Sequence, residues 1–151
     1  LVTLANDIRQ ITGFYSHHAV FWKILVQSVE EFDRNLSELV KDTEIRAGFD
    51  NLKRIISAPD PLHMIPEAEA LLKETTRRCH LSLPLEVDHM ISKMKGHLYA
   101  YQSGGDLRNR ALYALRSIKT GIKVAGDIKS MSDCLMEADE IFHIFWEEVM
   151  A

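Results

Sequence analysis

Helix breakers are scarce in this 151-residue chain, which has four prolines and seven glycines. Three of the prolines, Pro59, Pro61 and Pro66, crowd into the one stretch "APDPLHMIP". Long periodic segments can therefore run unbroken on either side of it. Cysteine is scarcer still. Cys79 and Cys134 stand alone, neither in a CxxC pattern, which suggests a reducing compartment and two small apolar side chains. Long hydrophobic runs are missing: Lys23 interrupts "AVFWKILV", the best candidate, so no segment reaches the ~18 apolar residues of a membrane span. The opening lacks the basic–apolar–small pattern of a secretory leader, and a cytoplasmic protein is expected.

Recognisable catalytic motifs are also missing. There is no GxxxxGK[ST] phosphate cradle and no GxSxG elbow, and neither cysteine has a His and an Asn or Asp spaced to make it a nucleophile. No Arg is followed five to seven residues later by a His, and Gly104-Gly105 is long enough only for a turn. The expectation is a non-catalytic chain with no cofactor.

What is present fits one helical domain. The length suits a single domain able to bury roughly 70% of its unfolded surface. The composition, 46% hydrophobic and 26% charged, is that of an ordinary globular chain. The chain opens "LVTLANDIRQ", without Met and already in helical rhythm, which leads to the expectation of a piece of a longer protein.

Apolar residues recur at steps of three and four throughout. A short helix is expected at about 4–11, with Gly13 as a joint. A long one over 16–41 turns Ala19, Trp22, Val26, Val29, Phe32, Leu36 and Leu39 inward. Asp42 caps the next, 43–57, with Ile45, Phe49, Leu52 and Ile56 inward. After the proline-rich turn, Pro66 suits the first turn of a helix over 66–80 carrying Leu71, Leu72, Thr75 and Cys79. Ser82 and Pro84 are read as opening another, about 84–102. Helices over 106–125 and 131–150 follow, the last with Ser130 and Asp133 as its capping box. No stretch combines period-two alternation with strand chemistry. The fold class read from this pattern is all-α: a bundle of about six helices, mostly antiparallel neighbours.

Charge supplies one candidate surface. The net charge of −4 gives no electrostatic reason to expect a nucleic-acid partner. Its distribution is uneven, however. Residues 104–130 carry Arg108, Arg110, Arg116, Lys119, Lys123 and Lys129 against Asp106 and Asp127, whereas 131–151 carry only acids. One reading pairs the two blocks across the seam of a hairpin. The alternative is a stripe, Arg108, Arg110, Arg116, Lys119 and Lys123, that contacts DNA phosphates or a protein partner. Tyr99, Tyr101 and Tyr113 near Arg108 and Arg110 give a thin pattern for single-strand stacking.

Two Glu-x-x-His sequences, Glu86–His89 and Glu140–His143, raise a further alternative, a metal-dependent bundle. At about 100° per residue, His89 lies roughly 160° from inward Val87, and Glu140 roughly 160° from inward Ala138. Both motifs should face away from the core, so no metal site is expected. His17 and His18 also point about 100° apart on a helix, and read as side chains at the helix start.

Two stretches together carry a resemblance. "GFYSHHAVFWKILVQSVEEFDRN" has a Phe-Tyr, a helical aromatic run and an F-x-x-N; "LKRIISAPDPLHMIPEAEALL" has a helix ending in an apolar pair, a proline-rich turn and a Pro-Glu helix start. This order over residues 12–72 resembles a helical region downstream of the ATPase module in the large P-loop proteins of BREX bacteriophage-exclusion systems. The resemblance implies a scaffold or interaction domain whose partners are other domains of a large cytoplasmic ATPase, or other subunits of the defence system. It carries no catalytic residue onto this chain.

Overall fold

The computed structural model describes residues 18–98 and 105–150. Among these the chain is all-α, five helices and no strand. Helix α1 covers 18–31 and passes into one π-helical turn, Phe32–Leu36; α2 is Thr43–Ile56, α3 Ile65–Leu98, α4 Gly105–Val124 and α5 Ile128–Met150. The helix expected at 4–11 lies outside the described residues, as do His17, Tyr99 and Tyr101.

The helices expected over 66–80 and 84–102 are one. Helix α3 runs for 34 residues with Pro84 inside it, a length of about 51 Å. A mid-helix proline removes one amide donor and costs about 3 kcal/mol. Burial offsets that loss, because Thr75, Cys79, Leu83, Val87, Ile91 and Met94 form an unbroken inward row across the proline. The two expected helices had been separated at a residue that continues the packing.

Helix α3 is the element against which α2, α4 and α5 all pack. Its contacts fix the directions of its neighbours. Asp42 meets Arg78, whereas Gly48, further along α2, meets Thr75. Ala125 meets His80, whereas Lys119, earlier in α4, meets Asp88. Both series run in opposite senses, so α2 and α4 are antiparallel to α3. Helices α4 and α5 form the expected hairpin, and their contact is more extensive than that of α3 with α2, α4 or α5.

Local chemistry sets the ends. Asp42 Oδ1 accepts from the amides of Glu44 at 2.9 Å and Ile45 at 3.2 Å, the expected cap of α2. Arg46 on α2 donates from Nε to the Val40 carbonyl at 2.8 Å and from Nη2 to that of Ser37, tying down the end of the preceding helix. That helix stops short of 41. The Ser37 amide reaches back five residues to the Phe32 carbonyl at 2.8 Å, the π register. Phe32 stacks on Phe49 of α2 with ring centroids 4.2 Å apart.

Two inferred details shift. The centre of the α1 stripe is Leu25, fully buried, with Trp22 half-buried on its flank and Ala19 exposed. The cap of α5 lies three residues earlier than expected: Asp127 Oδ1 accepts from the Ser130 amide at 2.7 Å, and Asp133 instead takes Lys129 at 2.9 Å. Along the other helices Ile45, Phe49 and Leu52 of α2, Ala111, Leu115, Ile118 and Ile122 of α4, and Met131, Leu135, Ala138 and Phe145 of α5 are buried, whereas Ile56 is half-buried and Leu107, at the start of α4, is 46% exposed.

Candidate functional site

Helices α3 and α5 run side by side past the end of α1 and leave a cleft of about 570 Å³, whose lining includes Glu86, His89 and Lys93 of α3 and Asp139, Phe142 and His143 of α5. Glu38, Leu39 and Lys41 close one side. A second hollow of about 550 Å³ continues it, with Gly96 and Trp146 joining Lys93, Phe142 and His143. Phe142 and Trp146 form an aromatic wall, centroids 5.4 Å apart.

This cleft brings together parts of the two Glu-x-x-His sequences. Each does face away from the core, as helical phase requires: His89, Glu140 and His143 are exposed and Glu86 is half-buried. Yet His89, Glu86 and His143 line one cleft, and the fourth member is Asp139 in place of Glu140. His143 Nε2 lies 3.4 Å from Asp139 Oδ1. Among the described residues no three His, Cys, Asp or Glu side chains converge as a metal-ion site would need. The cleft is an aromatic wall rimmed by mixed charge.

The five basic residues of α4 divide. By helical phase Arg108, Arg116, Lys119 and Lys123 fall within about 80° of one another and Arg110 about 120–180° from them. Lys119 is engaged, with Nζ 2.8 Å from Asp88 Oδ1 on α3. Arg108 is half-buried, and Arg110, Arg116 and Lys123 are exposed. Among the described residues, no ion pair joins α4 to α5. The expected pairing across the hairpin seam is therefore not formed there; Gly121 instead faces Cys134, and a Cβ at 121 would sit 3.5 Å from Cys134 Sγ, an ordinary contact.

One polar group went unnoticed in the sequence. Glu31, at the end of α1, is buried with a side chain only 9% exposed. Its Oε1 accepts from Ser132 Oγ on α5 at 2.7 Å and from Asn35 Nδ2 at 2.7 Å, and Lys129 Nζ lies 3.5 Å from Oε2. Burial alone would raise its pKa. The Ser132 hydroxyl, the Asn35 amide and the Lys129 charge together outweigh burial and hold the carboxyl below its usual range. Its only sequence signal was position, one residue before inward Phe32 and four before Asn35. The node ties α1 to the first turns of α5.

Neither cysteine is set up as a nucleophile. Burial, with the Asp42 charge second, pushes the Cys79 thiol up to about 12, and burial with nearby Glu137 and Asp133 also raises Cys134, so both are thiols at neutral pH. His18, the first described residue of α1, is half-buried. No helix among the described residues is long and apolar enough to cross a membrane.

Compared with known proteins, the chain matches no family model, no curated protein and no solved structure at a significant level.

Proposed function

We propose that this chain is a non-catalytic helical interaction domain, and that its parent is a large cytoplasmic BREX-type phage-resistance ATPase. The first part rests on geometry and the second on the sequence resemblance over 12–72 alone. The observation that carries the first part is the display of exposed apolar and charged side chains on rigid helices. Val20, Ile24, Leu81, Leu85, Tyr113, Val124 and Ile144 are all 46–78% exposed; Val20 with Ile24 and Leu81 with Leu85 are neighbours one helical turn apart, and such pairs, together with the aromatic-walled cleft, support a protein-contact role. The residues that carry the resemblance have packing work here: Phe32 and Asn35 build the π turn and the Glu31 node, and Pro61–Met64 forms the 3₁₀ turn that leads into α3.

The parent is tested by its full reading frame, which should contain a GxxxxGK[ST] sequence upstream of this region. A complete frame without one removes the ATPase assignment. The domain role is tested by mixing the purified chain with the remainder of that parent. Comigration in gel filtration is expected, and two separate peaks at tens of micromolar would refute a holding role. ATP turnover by the chain alone, surviving a contaminant control, would refute its non-catalytic character.

A further inference from the structure

We infer that the outer face of the α4–α5 hairpin is a self-complementary surface and that its partner is a second copy of this chain. The inference deepens the interaction-domain reading and rests on it, but does not depend on which parent carries the domain.

The two helices present opposite charges on the same face. On α4 the side opposite the buried row Ala111, Leu115, Ile118 and Ile122 carries Arg110, Arg116 and Lys123, all exposed. Among the described residues none of the three takes part in an ion pair. Between them lie Tyr113 and Val124, 75% and 78% exposed. They are eleven residues apart, hence within about 20° of one line along the helix. The side of α5 opposite Leu135, Ala138 and Phe145 carries Glu137, Glu140, Glu147 and Glu148, again exposed, with Met136 and Ile144 40% and 51% exposed among them. No Lys or Arg follows Lys129.

Symmetry makes these stripes complementary. A two-fold axis parallel to the helices, lying in the face, sets α4 of each copy over α5 of the other and preserves height along the axis. The Gly121–Cys134 contact gives the register within the hairpin. Antiparallel helices step together at equal rise, so Arg116 is level with about 139 and Arg110 with about 145. In the dimer Arg116 therefore reaches the other copy's Glu140, Arg110 its Glu148, and Tyr113 its Ile144, each contact occurring twice as a closed two-fold interface requires. The perpendicular two-fold would place α4 on α4 and oppose like charges, so the charges select one arrangement. The face measures about 30 Å by 20 Å, on the order of 600 Å² per copy, near the lower limit for specific interfaces. The association is accordingly concentration- and salt-dependent.

A charge exchange tests this on the whole 151-residue chain. By analytical ultracentrifugation at low salt, the wild type should double in mass between about 5 and 300 µM and lose most of that association at about 0.5 M NaCl. Arg110→Glu with Arg116→Glu gives a variant acidic at all four paired positions, 110, 116, 140 and 148; Glu140→Lys with Glu148→Lys gives one basic at all four. Each alone should stay monomeric with wild-type helicity, and an equal mixture should recover the doubled mass, because every cross-copy pair is again of opposite sign. Tyr113→Ser, which changes no charge, should also weaken the doubling. A wild type monomeric throughout, a double reversal that still dimerises, or folded variants whose mixture does not associate would each overturn the inference. So would a monomeric wild type that takes up duplex DNA through the same arginines. A monomeric wild type that still binds the rest of its parent removes this inference and leaves the interaction-domain reading standing.

Discussion

Replacing Gly48 with alanine sets two effects against each other where α2 crosses α3. Alanine is favoured over glycine in a helix interior by about 1 kcal/mol, so on propensity alone the variant should gain stability. The packing opposes this. A Cβ at position 48 would lie 2.5 Å from Thr75 Oγ1, 3.2 Å from its Cγ2 and 3.4 Å from its Cβ. Thr75 is 4% exposed and β-branched, so rotation about χ1 only exchanges one crowded substituent for another. Overpacking of this kind costs about 1–3 kcal/mol. The clash therefore outweighs propensity, and Gly48→Ala should lose about 1 kcal/mol in urea melts followed by circular dichroism. The same substitution on a Thr75→Ala background meets neither Oγ1 nor Cγ2 and should gain about 0.5–1 kcal/mol. The sign reversal is the diagnostic result. If Gly48→Ala stabilises the wild-type background by its full propensity, the two helices do not approach as closely as described and the argument fails.

Three further outcomes follow from single side chains. Asp42→Ala should cost about 1–2 kcal/mol through loss of the α2 cap. At Asp42 burial is outweighed by the Ile45 amide, the Ser82 hydroxyl, the Glu44 amide and Arg78, so its pKa is depressed; its contribution is full above the unfolded carboxylate pKa and lost as pH falls through the lower folded value, and a wild-type/Asp42→Ala stability gap that widens in acid would contradict this. Glu31→Gln should cost about 1–3 kcal/mol near neutrality by breaking charge-assisted bonds to Ser132 and Lys129. Since the Glu31 pKa is also lowered, that gap too should close on acidification, and equal thermal stability of the two proteins at pH 7 would refute the node. In native buffer a maleimide should label Cys134 slowly and Cys79 not at all until urea unfolds the chain; modification of both at equal rates, read by mass spectrometry, would show that α3 is not packed as described.

Much of the fold was legible because each helix repeats one short-range rule. The rows Ile45–Phe49–Leu52 and Ala111–Leu115–Ile118–Ile122 step by three and four and are buried, and Asp42 caps because its side chain needs only the next three residues. The misreadings occur where a distant neighbour decides. Pro84 carries a local stop signal, which the continuous burial of Cys79, Leu83 and Val87 overrides. Spacing alone turns Trp22 inward, yet Leu25, one turn on, fills the centre of the α1 stripe and Trp22 is half-buried beside it. The π turn is invisible to a 3.6-residue period. It advances the chain by one residue and lets Phe32 meet Phe49 while Leu36 and Val40 stay inside.

Candidate sites are harder to read for the same reason. Helical phase states which way a side chain points but not which helix it points toward. The basic and acidic blocks of α4 and α5 were rightly assigned to neighbouring helices, and their opposite signs suggested a pairing at the seam. The seam, however, is occupied by Gly121 and Cys134. Among the described residues no ion pair crosses from α4 to α5. The exposed charges lie instead on the outer side, Arg110, Arg116 and Lys123 on α4 and Glu137, Glu140, Glu147 and Glu148 on α5, while Lys119 turns to Asp88 of α3. Exposed ion pairs within a chain contribute only about 0–1 kcal/mol each, so the segregation is not explained by the stability of the hairpin. The same segregation on a two-fold surface doubles every favourable pair and penalises the competing arrangement, which is where sorted charge has its largest effect.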